Sequence, residues 1–519
     1  MKSFLLRFAA VIRFVLSGFD RLRFHGESRL LNHATGVQSY LYQQRILFKD
    51  FPAHARQLTE SLCRQTEELA AQQEVPLQYL NSPDLDKEAA ALALARRQQH
   101  PLGRLAVLSC LEACTTYRLR KNRDGRIELR KEAGRCKHYY HYFLHPQVGL
   151  CYVRVQSWFP FAVRVGLNGR QWLSRQLEQR GVPHQRQGNL LLSVDDPALA
   201  QQLLQAQRHV AWPALLGALV RPIQPLWTYL HQTADTPYYW MTEQSEWATD
   251  FVFRTAADLA ALYPRWLRHG IETLQCRDVL RYLGKKLPPQ GYGCCSGEAK
   301  IDLRTRAEGT RLKFWYGSNS LKIYDKERQA LRLETTINDP KGFQVYRTKE
   351  GEAKTAAKSW QQLRKGVADL DRRAEVSQAA NNRLAESLAG VTEPTTLGQL
   401  LKPLGQPVLE HGQRKARALN PLTGGDGTLL RALAQGTFLL QGFRNRDLRL
   451  ALHGPTTDDE QRRKHSAAVT RQLALLRAHG LLVKVTKSHR YHLSAQGRRI
   501  VAALLAAHAS DVTRLAQSA

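Results

Sequence analysis

Acid is scarce in this chain: 45 Asp and Glu stand against 76 Lys and Arg, which leaves a formal net charge of +31 over 519 residues. Solubility needs far less, since small domains manage with a net charge of about 2 to 8. The excess therefore implies a polyanionic partner, nucleic acid ahead of an anionic membrane. Cysteine is sparse too, and eight irregularly spaced thiols exclude a secreted disulfide framework, so a reducing cytoplasm is the expected setting. Long apolar runs are missing. The N-terminal MKSFLLRFAAVIRFVLSGF is interrupted by Arg7 and Arg13 before it reaches the length of a signal-peptide core, and no other stretch approaches the ~18 to 20 residues of a membrane span, so no transmembrane segment is expected. The N-terminal segment reads instead as an amphipathic or partly buried basic helix.

What is present divides the chain into an α+β multidomain protein of about three domains. Residues 1–100 follow a helical pattern, broken by the turn signal Asn81-Ser82-Pro83-Asp84. Residues 101–235 form an aromatic-rich α+β segment, in which short apolar and β-branched runs (RLAVLSCLE, HYYHYFLH, GLCYVRVQ) alternate with polar turns. A second α+β segment covers 236–350: a strand at EWATDFVF, helices at 256–269 and 276–283, then strands RLKFWY, SLKIYDK and ALRLETTIN with a hairpin turn at Glu327 to Gln329. Over 351–395 the three-and-four spacing of Trp360, Leu363, Val367, Leu370, Ala374, Leu384 and Leu388 predicts a long connecting helix and a linker.

Residues 396–519 carry the most specific architecture. GDGTLLRALAQG, FRNRDLRLALHG and QRRKHSAAVTRQLALLRAHGLL read as three helices, and VKVTKSHRYHLSAQGRRIVAALLAA as a two-stranded wing and a closing helix. On the third helix Val469, Leu473 and Leu476 share one face, while Arg462, Arg463, Lys464, Arg471 and Arg477 supply donors elsewhere; Arg444 and Arg446 open the second helix, and Lys484, Lys487, His489 and Arg490 lie at the wing. The Ala478-His479-Gly480-Leu481 turn, the basic turn after it and Tyr491-His492-Leu493-Ser494 resemble the end of bacterial winged-helix DNA-binding domains, over about residues 420–507. That resemblance implies a third helix in the major groove; a winged helix used for protein contacts is the alternative.

In the centre, YGSNSLKIYDKERQALRLETTIN places Tyr324-Asp325-Lys326 on one strand and Arg332-x-Glu334 on the next, and RYLGKKL puts Tyr282 three residues before Lys285. These runs weakly resemble phage and plasmid rolling-circle replication initiators. The resemblance implies that Tyr282 attacks a DNA phosphate, that Lys285 or Lys286 orients the strand, and that Asp325 or Glu334 helps hold Mg²⁺ or Mn²⁺. The initiators' His-hydrophobic-His strand is absent: His138, His141 and His145 are spaced by three and four, which sets His138 and His141 on opposite strand faces. The whole chain also resembles a family of bacterial proteins, a likeness that implies no activity.

Other constellations have blander readings. Cys110, Cys114, Cys136 and His138 are of zinc-ligating types, but a spacing of four along an extended strand separates two thiols by roughly 13 Å. Glu243, Glu246 and Asp250 could hold a divalent ion beside a phosphate, or pair with arginines. Tyr152, Arg154, Trp158 and Arg164, with Tyr139, Tyr140, Tyr142 and Phe159, interleave aromatic and basic residues as a single-strand or RNA-binding sheet does, and Lys322 and Lys326 extend the basic surface. Three functions follow: a DNA-processing or replication-initiation protein of a mobile element, a non-enzymatic RNA- or single-strand-binding component of a ribonucleoprotein, or a transcription regulator. DNA against RNA, the cognate sequence and the oligomeric state stay open.

Overall fold

The computed structural model describes residues 1–96, 103–233, 238–274, 276–285, 299–349, 352, 355–389, 397–410, 414–434, 438, 442–485 and 488–509. A short helix α1 (Lys2–Phe8) precedes the long strand β1 (Ile12–Ser28), then α2 (Ala34–Gln43), α3 (Phe51–Gln72), β2 (Leu77–Leu80) and α4 (Lys87–Arg96). Next come β3 (Gly103–Lys121), β4 (Ile127–His145), β5 (Gly149–Gln156), β6 (Val163–Asn168), α5 (Gly169–Glu178), β7 (His184–Gln187), β8 (Leu190–Val194), α6 (Pro197–Ala206), α7 (Trp212–Val220) and α8 (Trp227–Thr233). β9 (Tyr238–Phe253) leads to α9 (Ala256–Thr273), α10 (Cys276–Leu283), β10 (Ala299–Arg306), β11 (Gly309–Tyr316), β12 (Asn319–Lys326), β13 (Ala330–Ile337), β14 (Gln344–Arg347), β15 (Ser359–Gln362) and α11 (Leu370–Ala389). The C-terminal part holds α12 (Leu397–Leu401), β16 (Val408–Glu410), β17 (Arg414–Ala416), α13 (Gly424–Leu433), β18 (Phe443–Arg444), α14 (Asn445–His453), α15 (Asp459–Ala478), β19 (Leu482–Lys484), β20 (Arg490–Leu493) and α16 (Ala495–Ala509).

The chain is mixed α+β and folds into two compact units. The first comprises residues 16–248 and 336–375. Its main sheet runs in the order β9-β1-β6-β5-β4-β3-β2, antiparallel through β1, β6, β5, β4 and β3 and closed by the parallel edge strand β2. One face meets the helices through Phe19, Leu22, Phe24, Tyr40, Leu62, Val153, Val165 and Trp212. The second unit comprises residues 1–15, 249–335 and 376–519, with the order β10-β11-β12-β13-β9-β1 in its sheet and the C-terminal helices. The expected strands at 309–337 are present, and Glu327 and Arg328 take the left-handed conformation, with φ of 53° and 55°, at the turn between β12 and β13.

Two elements differ from the sequence reading. The N-terminal residues are helical only over Lys2–Phe8, and Ile12–Ser28 is a 17-residue strand. Its alternation of Leu22 and Phe24 inward with Arg21 and Arg23 outward is the period of two, and pairing with β6 in a sheet core outweighs local helix propensity. Of the long helix expected within 351–395, the helical part begins only at Leu370; Trp360 lies on β15 instead. Gly366 forms an isolated bridge with Met241, and Arg364 donates through its backbone N–H and guanidinium to Asp369, so local sheet and turn contacts hold this stretch out of a helix. No helix among the described residues is long and apolar enough to cross a membrane.

The C-terminal region has the winged-helix arrangement that its pattern predicts. Helix α13, strand β18, helices α14 and α15, strands β19 and β20 and helix α16 follow in that order, and the small sheet runs β18-β20-β19. Leu429, Leu433, Phe443, Leu448, Val469, Leu473, Leu476, Leu482, Leu493 and Ile500 form its core.

Candidate nucleic-acid interface

Helix α15 is set in place by its buried and its polar contacts. Asp458 caps it, accepting from the backbone N–H of Glu460 at 2.9 Å and of Gln461 at 3.3 Å. Asn445, at the start of α14, donates to Ser466 O at 3.0 Å and to Thr470 Oγ1 at 2.9 Å, which fixes the angle between the two helices. With Val469, Leu473 and Leu476 facing the core, Arg463, Ala467, Thr470, Arg471, Ala474 and Arg477 fall on the exposed side. The small residues between the arginines leave the helix backbone open to close approach by a groove.

The cations of this helix differ in what they are free to do. Arg462 pairs with Asp459 and Lys464 with Glu460 at 2.8 Å, both on the exposed first turns. Arg463, Arg471 and Arg477 have no carboxylate partner among the described residues. Beside the helix, Arg444 lies directly across the sheet from Arg490. Arg490 donates to Gly442 O at 3.2 Å, and burial, then the positive charges of Arg444 and Arg446, depress its pKa. Three guanidinium groups thus concentrate positive potential between the second helix and the wing, with Asp447 capping Arg444 N–H at 2.8 Å as the local counter-charge. Lys484 and His489 are exposed at the wing, and Lys487 lies outside the described residues.

The central residues are placed very differently. Tyr282 lines a cavity of about 450 Å³ with Arg281, Asn382, Arg383, Glu386 and Ser387. Ser387 lines the same cavity, and its hydroxyl lies 3.2 Å from His269 Nε2. Burial raises the Tyr282 pKa and lowers that of His269, disfavouring phenolate and imidazolium alike, so both shifts oppose proton transfer from the phenol to the imidazole. Arg383 donates to the Tyr282 carbonyl at 2.6 and 3.0 Å. His269, Arg383 and Ser387 come from α9 and α11 and form no short motif with Tyr282, which is why the sequence did not single them out. Lys285 sits over the Tyr316 ring at 5.2 Å, and Lys286 lies outside the described residues.

Asp325 and Glu334 do not meet. Glu334 bonds Lys322 and the Tyr324 hydroxyl, so it lies on the face of β12 that carries the even-numbered residues, and Asp325 points to the other face. Asp325 is raised in pKa by burial and packed against Gly309, whose φ of 128° and contact with the Asp325 carboxylate leave no room for a Cβ. Lys326 pairs with Glu308. The Arg332 guanidinium is spent on Asp250, 2.9 Å away and buried.

On the first unit's sheet, the aromatic-basic pattern is turned inward. Tyr139, Tyr140, Tyr142 and Phe159 are buried, and Trp158 is half-buried against the helix-side core. Arg154, Lys87 and the Tyr140 hydroxyl converge on Glu112, at 3.1, 3.1 and 2.7 Å. Burial pushes that carboxyl up, but the three partners outweigh it and hold its pKa below the usual value. Arg23 and Arg164 pair with Glu243, so each of these three arginines is engaged by a carboxylate. Tyr152 lies across Gly166, the only residue that fits there, since a Cβ would meet its ring at 2.0 Å. Comparison with protein-family models, curated proteins and solved structures finds no match. Of the zinc-type residues considered above, Cys136 Sγ lies 3.9 Å from the His138 ring nitrogens and Cys110 is opposite His138, but the four form no metal-holding group among the described residues.

Proposed function

We propose that this is a nucleic-acid-binding protein that engages a duplex through its winged helix. The observation that carries the reading is the exposed face of α15, where Arg463, Arg471 and Arg477 flank small residues and lack carboxylate partners among the described residues. Arg444, Arg446 and Arg490 supply phosphate donors beside it. The net charge of +31 supports a polyanionic ligand but does not choose the surface. Replacing Arg471 by Ala should weaken a selected duplex by about 1 to 3 kcal/mol and narrow its advantage over a scrambled duplex. Anisotropy titrations on both duplexes measure this; an unchanged affinity for each would refute the assignment.

Strand cleavage by Tyr282 is a second reading, favoured by the cavity that sets Ser387, Arg281 and Arg383 beside this phenol. In this reading the phenolic oxygen bonds to phosphorus as its proton is lost, the P–O bond to the neighbouring sugar breaks, the departing sugar oxygen takes up a proton, and the arginines balance the phosphate charge. A bound Mg²⁺ or Mn²⁺ cannot use Asp325 and Glu334 together. The test is incubation with supercoiled plasmid and a search for a covalent tyrosyl adduct; nicking undiminished in Tyr282→Phe excludes this phenol as nucleophile.

A further inference from the structure

Trp360 belongs to none of these surfaces. Strands β14 and β15 form an antiparallel pair in which Tyr346 lies directly opposite Trp360 and Gln344 opposite Gln362. Strand alternation gives these four one face, while Phe343, Val345 and Leu363 turn into the protein and are buried. The outer pair is exposed to a degree unusual for large aromatics: Trp360 at 66 % and Tyr346 at 53 %, with ring centroids 5.6 Å apart. Among the described residues no other tryptophan is classed as exposed.

The surroundings of this pair say what would cover it. Lys341, Lys349, Lys358 and Lys365 are exposed on and beside the hairpin, and Arg347 donates to the Gln362 carbonyl at 3.4 Å and to Thr348 O at 3.2 Å, which holds its guanidinium along the ribbon. An apolar protein partner would offer no counter-charge to Lys349, Lys358 and Lys365. A single nucleic-acid strand matches the chemistry point for point: unpaired bases offer π faces to Trp360 and Tyr346, base edges offer partners to Gln344 and Gln362, and phosphates take the lysines. A duplex keeps its bases stacked on one another and cannot use the rings in this way.

We infer that the β14–β15 hairpin is a binding surface for single-stranded nucleic acid, with unpaired bases stacked on Trp360 and Tyr346 and the backbone held by Lys349 and Lys358. This site is separate from the α15 face and stands or falls independently of duplex binding there.

The full chain, titrated with a single-stranded oligothymidylate, tests it by tryptophan emission and iodide quenching. Iodide reaches exposed tryptophan first, so the oligonucleotide should quench emission and shield the iodide-sensitive fraction. Trp360→Ala and Tyr346→Ala should each weaken oligothymidylate binding roughly ten-fold, Trp360→Phe should retain most of the affinity, and duplex binding should stay at the parent level. Both side chains are exposed, so the variants are expected to fold as the parent does, and circular dichroism verifies that. An oligothymidylate affinity unchanged in both alanine variants, binding that leaves iodide quenching undiminished, or no single-strand binding at all overturns the inference. Absence of duplex binding by the parent chain, with its single-strand binding present, counts against the winged-helix reading alone.

Discussion

His141 shows how burial alone sets the chemistry of a residue. It is fully buried on β4, neither ring nitrogen has a hydrogen-bond partner among the described residues, and burial, helped by Arg104, lowers its pKa to about 3. His138 is held at about 3 as well, chiefly by burial and then by Arg154. Both imidazoles are neutral in the fold but titrate near 6.5 in the unfolded chain, so below about pH 6.5 the unfolded state binds more protons and stability falls as pH drops toward 3. Replacing His141 by Leu should remove one such proton, making the stability-pH curve shallower by about 1.4 kcal/mol per pH unit between about pH 6 and 4. It should also stabilise the protein at neutral pH, because an unsatisfied buried polar group disappears. Urea unfolding across that range measures it; a parallel curve would show that His141 is solvated. The spacing of three and four had already placed His138 and His141 on opposite faces, and β4 carries them that way. That both are deeply buried could not be read from spacing, because the cover comes from distant segments.

At the scale of elements, strand pairs joined by ion pairs hold the second unit's sheet. Arg332 on β13 and Asp250 on β9 are both buried. Arg332→Met leaves a carboxylate without its main counter-charge and should cost about 3 to 5 kcal/mol, most of it recovered in the double variant with Asp250→Asn. Denaturant midpoints of the three proteins decide the matter, and a single variant as stable as the parent would show the pair to be dispensable. The strands at 309–337 were legible because apolar and polar residues alternate and the Glu327 to Gln329 turn is polar. The C-terminal helices were legible because Val469, Leu473 and Leu476 recur at helical spacing. β1 was not, since its centre is buried on both faces from Leu16 to Asp20 and so lacks a clean period of two. Trp360 misled for the opposite reason: its spacing to Leu363 and Val367 fits a helix, but pairing with β14 is a contact that helical spacing does not encode. That Asp325 and Glu334 lie on opposite faces follows from strand parity across the turn, which the motif alone does not encode.

For the whole molecule, the charge excess makes a prediction that does not depend on which surface binds. Affinity for duplex should fall steeply with salt, because each phosphate neutralised releases condensed counterions, at a slope of about −0.9 per contact on a log–log plot. An affinity independent of salt would remove the polyanion reading. The central claim is narrower: that the exposed arginines of α15 supply the duplex contacts. The most direct measurement is the duplex affinity of the full chain and of the Arg463→Ala/Arg471→Ala/Arg477→Ala variant over a series of salt concentrations. The account predicts a loss of roughly 100-fold or more and a salt slope shallower by about two to three. A variant that binds duplex with the parent's affinity and slope would contradict it.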